Sequence, residues 1–99
     1  MNELMRQAAR MQRKIDQAKE AARDKEIVAE SAGGKVKATV TYGRRVVRIE
    51  IDPEFFKSEG DLALDGACAA LNTALEQADK AMEAEIEKAT GGVKLPGMG

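Results

Sequence analysis

At 99 residues the chain makes one domain, and with no His, no Trp and a single cysteine it excludes a disulfide scaffold, a Cys/His metal cluster and histidine-based catalysis. Apolar residues make up 43% but aromatics only 3%. Much of the apolar share is alanine, so one copy buries a thin core, and self-association is the expected remedy.

Residues 2–25 read as a helix. Leu4, Ala8, Met11, Ile15, Ala18 and Ala22 follow steps of four and three, which confines them to about 80° of arc, a narrow seam of the coiled-coil kind. Arg6, Arg10, Arg13 and Gln17 form a second stripe with the same spacing. The helix is ~35 Å long, apolar along one edge and basic over the first half of the other. Residues 27–30 are a weaker strand candidate. Residues 35–41 alternate, with Val36, Ala38 and Val40 on one face and Lys35, Lys37, Thr39 and Thr41 on the other. Val47, Ile49 and Ile51 alternate with Arg48 and Glu50 in the same way. Ala32-Gly33-Gly34 and Tyr42-Gly43-Arg44 supply hairpin loops, since glycine takes the positive φ of tight turns. The expected product is a three-stranded antiparallel meander with one apolar and one basic-polar face.

Asp52-Pro53 ends the third strand. Residues 54–57 predict one helical turn that drops Phe55 and Phe56 onto the core. Ser58-x-x-Asp61 resembles a capping box, with Gly60 and Asp61 as competing helix starts. The second long helix carries Leu64, Cys68, Leu71, Leu75, Ala78, Met82, Ile86 and Ala89 as its seam, and Gly91-Gly92 stops it. Residues 1–90 are expected to form the single domain and residues 91–99 a flexible tail. The fold class is α+β: helix, meander, helix. Its helices should project from a homodimer sealed by Leu4, Met11, Ile15, Leu64, Cys68, Leu71, Leu75 and Met82. Whether the seams close within one chain, between two, or both stays open.

Charge is unevenly spread beneath the net −1: residues 1–25 carry +3, residues 35–48 carry +5 and residues 49–99 carry −7. Opposite signs point to an anionic partner for one surface, although i,i+4 helix pairing produces a similar pattern. Arg6, Arg10 and Arg13 are the first candidates for phosphate contact, because guanidinium forks match phosphate oxygens and a row spaced by one turn follows a backbone. The competing role is a solvated face paired with Glu3, Asp16 and Glu20. Lys35, Lys37, Arg44, Arg45 and Arg48 form the densest basic stretch, with edge-strand protection as the alternative. No aromatic is interleaved with them, which disfavours base stacking on single strands.

Cys68 reads as a small buried hydrophobe, and Glu83, Glu85 and Glu87 read as helix surface. Neither glycine pair has a phosphate-loop layout. No catalytic residue, metal, cofactor or small-molecule substrate is expected. No apolar run approaches the roughly 18–20 residues of a membrane span, and residues 1–7 lack a signal-peptide apolar region. A reducing cytoplasm is the expected setting.

Taken together, several stretches resemble the YbaB/EbfC family of bacterial nucleoid-associated proteins. They are Leu4-Met5-x-Gln7-Ala8-x-x-Met11-Gln12-x-Lys14, Ser31-Ala32-Gly33-Gly34-x-Val36-Lys37-Ala38-Thr39-Val40, Val47-x-Ile49-x-Ile51-Asp52-Pro53, Leu64-Asp65-x-x-x-x-Ala70-x-Asn72-x-Ala74 and Leu95-Pro96-Gly97. The resemblance implies a small homodimer with a central sheet body and helices projecting like tweezers. It also implies double-stranded DNA binding with modest sequence preference, a role in nucleoid organisation and gene regulation, a nucleoid location and no catalysis.

The acidic second helix, with Glu76, Asp79, Glu83, Glu85 and Glu87 against Lys80 and Lys88, favours an alternative: a dimeric interaction scaffold with little nucleic-acid affinity. A prefoldin-like holdase would need longer helices with exposed apolar tips.

Overall fold

The computed structural model describes residues 2–92. The chain runs α1 (Asn2–Ala22), β1 (Glu26–Ser31), β2 (Val36–Thr41), β3 (Val46–Ile51), α2 (Pro53–Ser58) and α3 (Gly60–Thr90). This is the α+β order expected from the sequence, with α2 as the added helical turn. The strands lie in the order β1-β2-β3, antiparallel throughout. Ala38 faces Ala29 on one side and Ile49 on the other, and Val36 faces Ser31 and Ile51. A bulge breaks the β2–β3 ladder, because Thr39 pairs with Arg48 but Val40 with Val46, leaving Val47 as the extra residue.

Both hairpin loops use positive φ, though not always at glycine. Ala32, Gly33 and Gly34 stand at 51°, 66° and 88°, whereas in the second loop Arg44 takes 71° and Gly43 does not enter the region. Gly43 serves close approach instead, since a Cβ there would lie 3.1 Å from the Arg23 carbonyl oxygen.

The sheet is covered by α3 through alanines. Ala67, Ala70, Ala74 and Ala78 are buried over Ala29, Val36, Ala38 and Val40, and Ala63 is buried one turn earlier. Within one chain this buried stripe lies one residue before the expected seam at Leu64, Cys68, Leu71 and Leu75, with Ala78 common to both, so Cys68 is not the buried small hydrophobe that its residue type suggests. Leu64 and Cys68 are exposed, and Leu71, Leu75 and Met82 are half-buried on the flank. Small side chains let a helix lie close on a sheet, where leucines would hold it off and leave gaps. Ser31 Oγ donates 2.6 Å to the Gly66 carbonyl at this close crossing.

Gly66 touches Val36, at the start of β2, whereas Asp79 meets Arg44 at the other end of the sheet. Beyond that point Glu85 meets Lys25, which leads from α1 into β1. The second half of α3 therefore leaves the sheet and runs antiparallel to α1, forming a two-helix arm. Ile15 and Ala22 are buried on α3, Met11 and Ala18 are half-buried, and Leu4 to Arg10 stand clear. The principal extents are 66 × 21 × 16 Å.

Asp52 caps α2, its Oδ2 accepting from the Phe55 amide at 3.1 Å, with Pro53 following. Ser58 is not a capping residue for α3, because its hydroxyl donates to the Glu54 carbonyl and α3 begins at Gly60. Phe55 packs against the core as expected, but Phe56 points out, 51% exposed. Gly91 ends α3 in the left-handed conformation at φ 67°. The remainder of the expected tail, residues 93–99, lies outside the described residues. No helix among the described residues is long and apolar enough to cross a membrane.

Candidate functional site

The eight candidate cations fall in separate places. Arg6, Arg10 and Arg13 stand exposed along α1, the first two on its free end. Glu3 lies 3.8 Å from both Arg6 and Arg10. Exposed pairs of this length contribute only about 0–1 kcal/mol, so an arriving anion displaces them at little cost.

Lys37 and Arg48 share the sheet face opposite α3, since Arg48 pairs with Thr39, two residues from Lys37. Each has a carboxylate nearby, Glu30 at 3.9 Å and Glu50 at 3.7 Å. Lys35 sits at the α2 end with its ammonium 5.1 Å from the Phe55 ring centroid, a cation–π contact. That contact gives Lys35 a structural role on the far side from the hairpin arginines.

Arg44 and Arg45 occupy the β2–β3 hairpin at the root of the arm. The loop is a tight turn closed by Arg44 N–H to the Thr41 carbonyl (2.9 Å), with Arg44 in the position that a bulge of this kind usually gives to glycine. Its tip is tied to the α1–β1 junction by Tyr42 N–H to the Lys25 carbonyl (2.8 Å) and Gly43 N–H to the Arg23 carbonyl (3.0 Å). From this fixed base Arg44 Nη1 donates to Asp79 Oδ2 of α3 at 2.5 Å. A non-glycine residue in the left-handed region costs on the order of 1–3 kcal/mol, whereas an exposed ion pair returns about 0–1 kcal/mol. Arginine at this position therefore costs stability. Arg45 lies beside Asp24, Glu26 and Thr41 in a smaller depression.

Between α1, the hairpin and α3 runs a cleft of ≈ 670 Å³. Lys19, Arg23 and Arg44 line it together with Asp16, Glu20, Asp79 and Glu83, and Tyr42 and Met82 form its apolar part. Below it Lys25 Nζ donates to Glu85 Oε1 at 2.8 Å, with Lys88 3.5 Å from the other oxygen. Glu85 is only 18% exposed at its side chain. The hydrogen bond from Lys25 holds the Glu85 carboxyl below its usual range, helped by both lysine charges and opposed by burial. The same bond, and then the carboxylate charge, raises Lys25 above its ordinary value.

The structure thus groups Arg6-Arg10-Arg13, Arg44-Arg45 and Lys37-Arg48, and does not merge the groups into one patch on a single protomer. Asp79 and Glu85 were both missed as partners by sequence reasoning. They sit 35 and 60 residues from the cations they meet, so no local spacing announces them. Among the described residues no group of three or more His, Cys, Asp and Glu side chains could hold a metal ion.

A second feature is apolar. Val46, Val47 and Ile49 of the edge strand β3 are exposed, as are Phe56, Leu62 and Leu64. Exposed strand edges of this composition are templates for pairing with another chain.

A family model described as the YbaB/EbfC DNA-binding family matches residues 1–93. A nucleoid-associated protein of Acinetobacter baumannii is 45% identical, the match covering 97% of this chain and 92% of the relative. A nucleoid-associated protein of Psychrobacter arcticus is 43% identical over 94% of this chain and 89% of its own length. An uncharacterized protein of Helicobacter pylori has the same fold in its crystal structure, with TM-score 0.71 and 18% identity over 85% of this chain and 89% of that one.

Proposed function

The chain belongs to the YbaB/EbfC DNA-binding family, and from that premise we propose that it acts as a homodimer holding double-stranded DNA by its phosphate backbone. It is a nucleoid-associated DNA-binding protein, of a family that is not an enzyme family. The observation that carries the finer reading is the row Arg6-Arg10-Arg13 on α1, whose exposed guanidiniums have only weak, displaceable partners. Phosphate contacts fix position but read no bases, so sequence preference is modest and the role is nucleoid organisation with broad effects on gene expression. The homodimer reading is supported by the exposed β3 edge and by the exposed leucines of α3.

The test is titration of a labelled duplex at two salt concentrations. Binding weakens with log salt at a slope of about 0.9 per phosphate neutralised, unrelated duplexes bind within a few-fold of one another, and Arg6→Glu plus Arg10→Glu weakens all of them alike. No association at roughly 50 mM salt would remove this reading. The Arg44–Asp79 pair and the acidic α3 favour a second one, a dimeric interaction scaffold. It predicts that the double charge reversal leaves cellular function intact while a charge placed among the exposed apolar residues, such as Ile49→Asp, abolishes it.

A further inference from the structure

Arg44 keeps a left-handed backbone, φ 71°, at a hairpin position where glycine would fit without strain, and its guanidinium rests on a carboxylate from a different element. We propose that Asp79 is an internal stand-in for a DNA phosphate. It holds the Arg44 fork in the free protein and yields it when duplex arrives, so that Asp79 limits affinity. This rests on the DNA-binding reading above and adds a residue that opposes binding.

Three observations converge on the exchange. The hairpin that launches Arg44 is fixed at its tip by the Lys25 and Arg23 carbonyls, so the guanidinium moves on a short tether. Both partners are half open to solvent, with 54% and 52% of their side chains exposed, so a phosphate oxygen reaches the fork without any element moving. Arg23, in the same cleft, pairs with the neighbouring Glu20 and Asp24. The Arg44 pair instead spans from the sheet to α3. A carboxylate and a phosphodiester offer the same fork-matching oxygens. In the exchange the Arg44–Asp79 contact breaks, an Arg44–phosphate contact forms, and Asp79 returns to water as a charge near the duplex. Protein charge is unchanged, so binding gains one cation contact only after giving one up.

The experiment titrates a fluorescent duplex against the full chain at fixed low salt. The variants are Asp79→Asn, Glu83→Gln, Arg44→Gly and the Asp79→Asn/Arg44→Gly double. Glu83 is exposed in the same cleft, so its neutralisation removes an equal charge without freeing Arg44. Asp79→Asn is expected to tighten binding by about fivefold or more and Glu83→Gln by under about twofold, the difference being one freed charge-assisted contact per subunit. In the Arg44→Gly background the Asp79→Asn gain should fall to the Glu83→Gln level. Arg44→Gly should melt no lower than wild type, which separates weak binding from misfolding.

An Asp79→Asn gain no larger than that of Glu83→Gln, or one that survives Arg44→Gly, overturns the stand-in while leaving the DNA reading in place. Failure of both wild type and Asp79→Asn to bind overturns the two together.

Discussion

A Cβ built on Gly66, in the second turn of α3, would lie 3.0 Å from Ser31 Oγ and 3.2 Å from Val36 Cγ2. Neither neighbour can retreat easily: Val36 is fully buried, and Ser31 Oγ is bonded to the Gly66 carbonyl. Alanine would bring about 1 kcal/mol of helix propensity, but overpacking a filled site costs about 1–3 kcal/mol. Gly66→Ala should therefore lower the melting temperature by roughly 4–8 °C, the shift of about 1 kcal/mol in a domain this size. A rise in the thermal melt would show that the crossing has slack. A glycine inside a helical pattern is visible in the sequence as a weak spot, but the side chain that forbids a Cβ comes from a strand 35 residues away. The same blindness applies at Gly43 and Arg44. The loop was legible, but which residue would take the positive φ depended on how tightly the loop met Arg23.

Element positions followed local chemistry and were mostly legible. Alternation marked β2, Asp52-Pro53 marked the end of β3, and Gly91 marked the end of α3. The phase of α3 was not legible. Periodicity weighs leucine above alanine, and the bulky ridge at Leu64, Cys68, Leu71 and Leu75 follows the same steps as the alanine stripe one residue earlier. Only the presence of a sheet underneath decides which ridge turns inward. The arm poses a similar problem: Ile15 follows the α1 periodicity and is buried, whereas the polar clasp between Lys25 and Glu85 leaves no periodic trace.

That clasp makes arm docking pH-dependent with a definite sign. The Glu85 carboxyl is lowered from 4.5 in the fold, so its contribution is complete above about 4.5 and disappears as pH falls through the lower folded value. Lys25 is raised from 10.5, so its share is complete below about 10.5 and is lost as pH rises through the higher folded value. The melting difference between wild type and Glu85→Gln should be constant from about pH 6 to pH 9 and shrink at both extremes. A difference that grew on acidification would contradict the pairing.

At the scale of the molecule, the chain exposes 6946 Å², against about 5500 Å² for a compact monomer of the same mass. Among the described residues, the free end of α1 and large apolar side chains of β3, α2 and α3 are exposed. A stable dimer typically hides about 800 Å² per partner, and the exposed Val46, Val47, Ile49, Phe56, Leu62 and Leu64 are large apolar side chains of β3, α2 and α3 that a second copy would cover. A thin, alanine-rich core is legible as a need for a partner, whereas periodicity alone does not tell whether the ridge at Leu64 closes within one chain or between two. The cations likewise read as two stretches in sequence but stand in four places in space, Lys35 apart from the three groups, and a second copy would bring more of them to one duplex.

Light scattering should therefore give twice the chain mass, and Ile49→Asp or Leu64→Asp should shift it towards one chain while Leu4→Asp, at the arm tip, leaves it unchanged. A wild-type chain that stays at single mass would defeat the dimer. Because two arms on one duplex raise each other's effective concentration, the monomeric variants should also lose DNA affinity and about half of the salt slope, as half the phosphates are neutralised. An undiminished slope in a folded monomer would place all the phosphate contacts on a single arm.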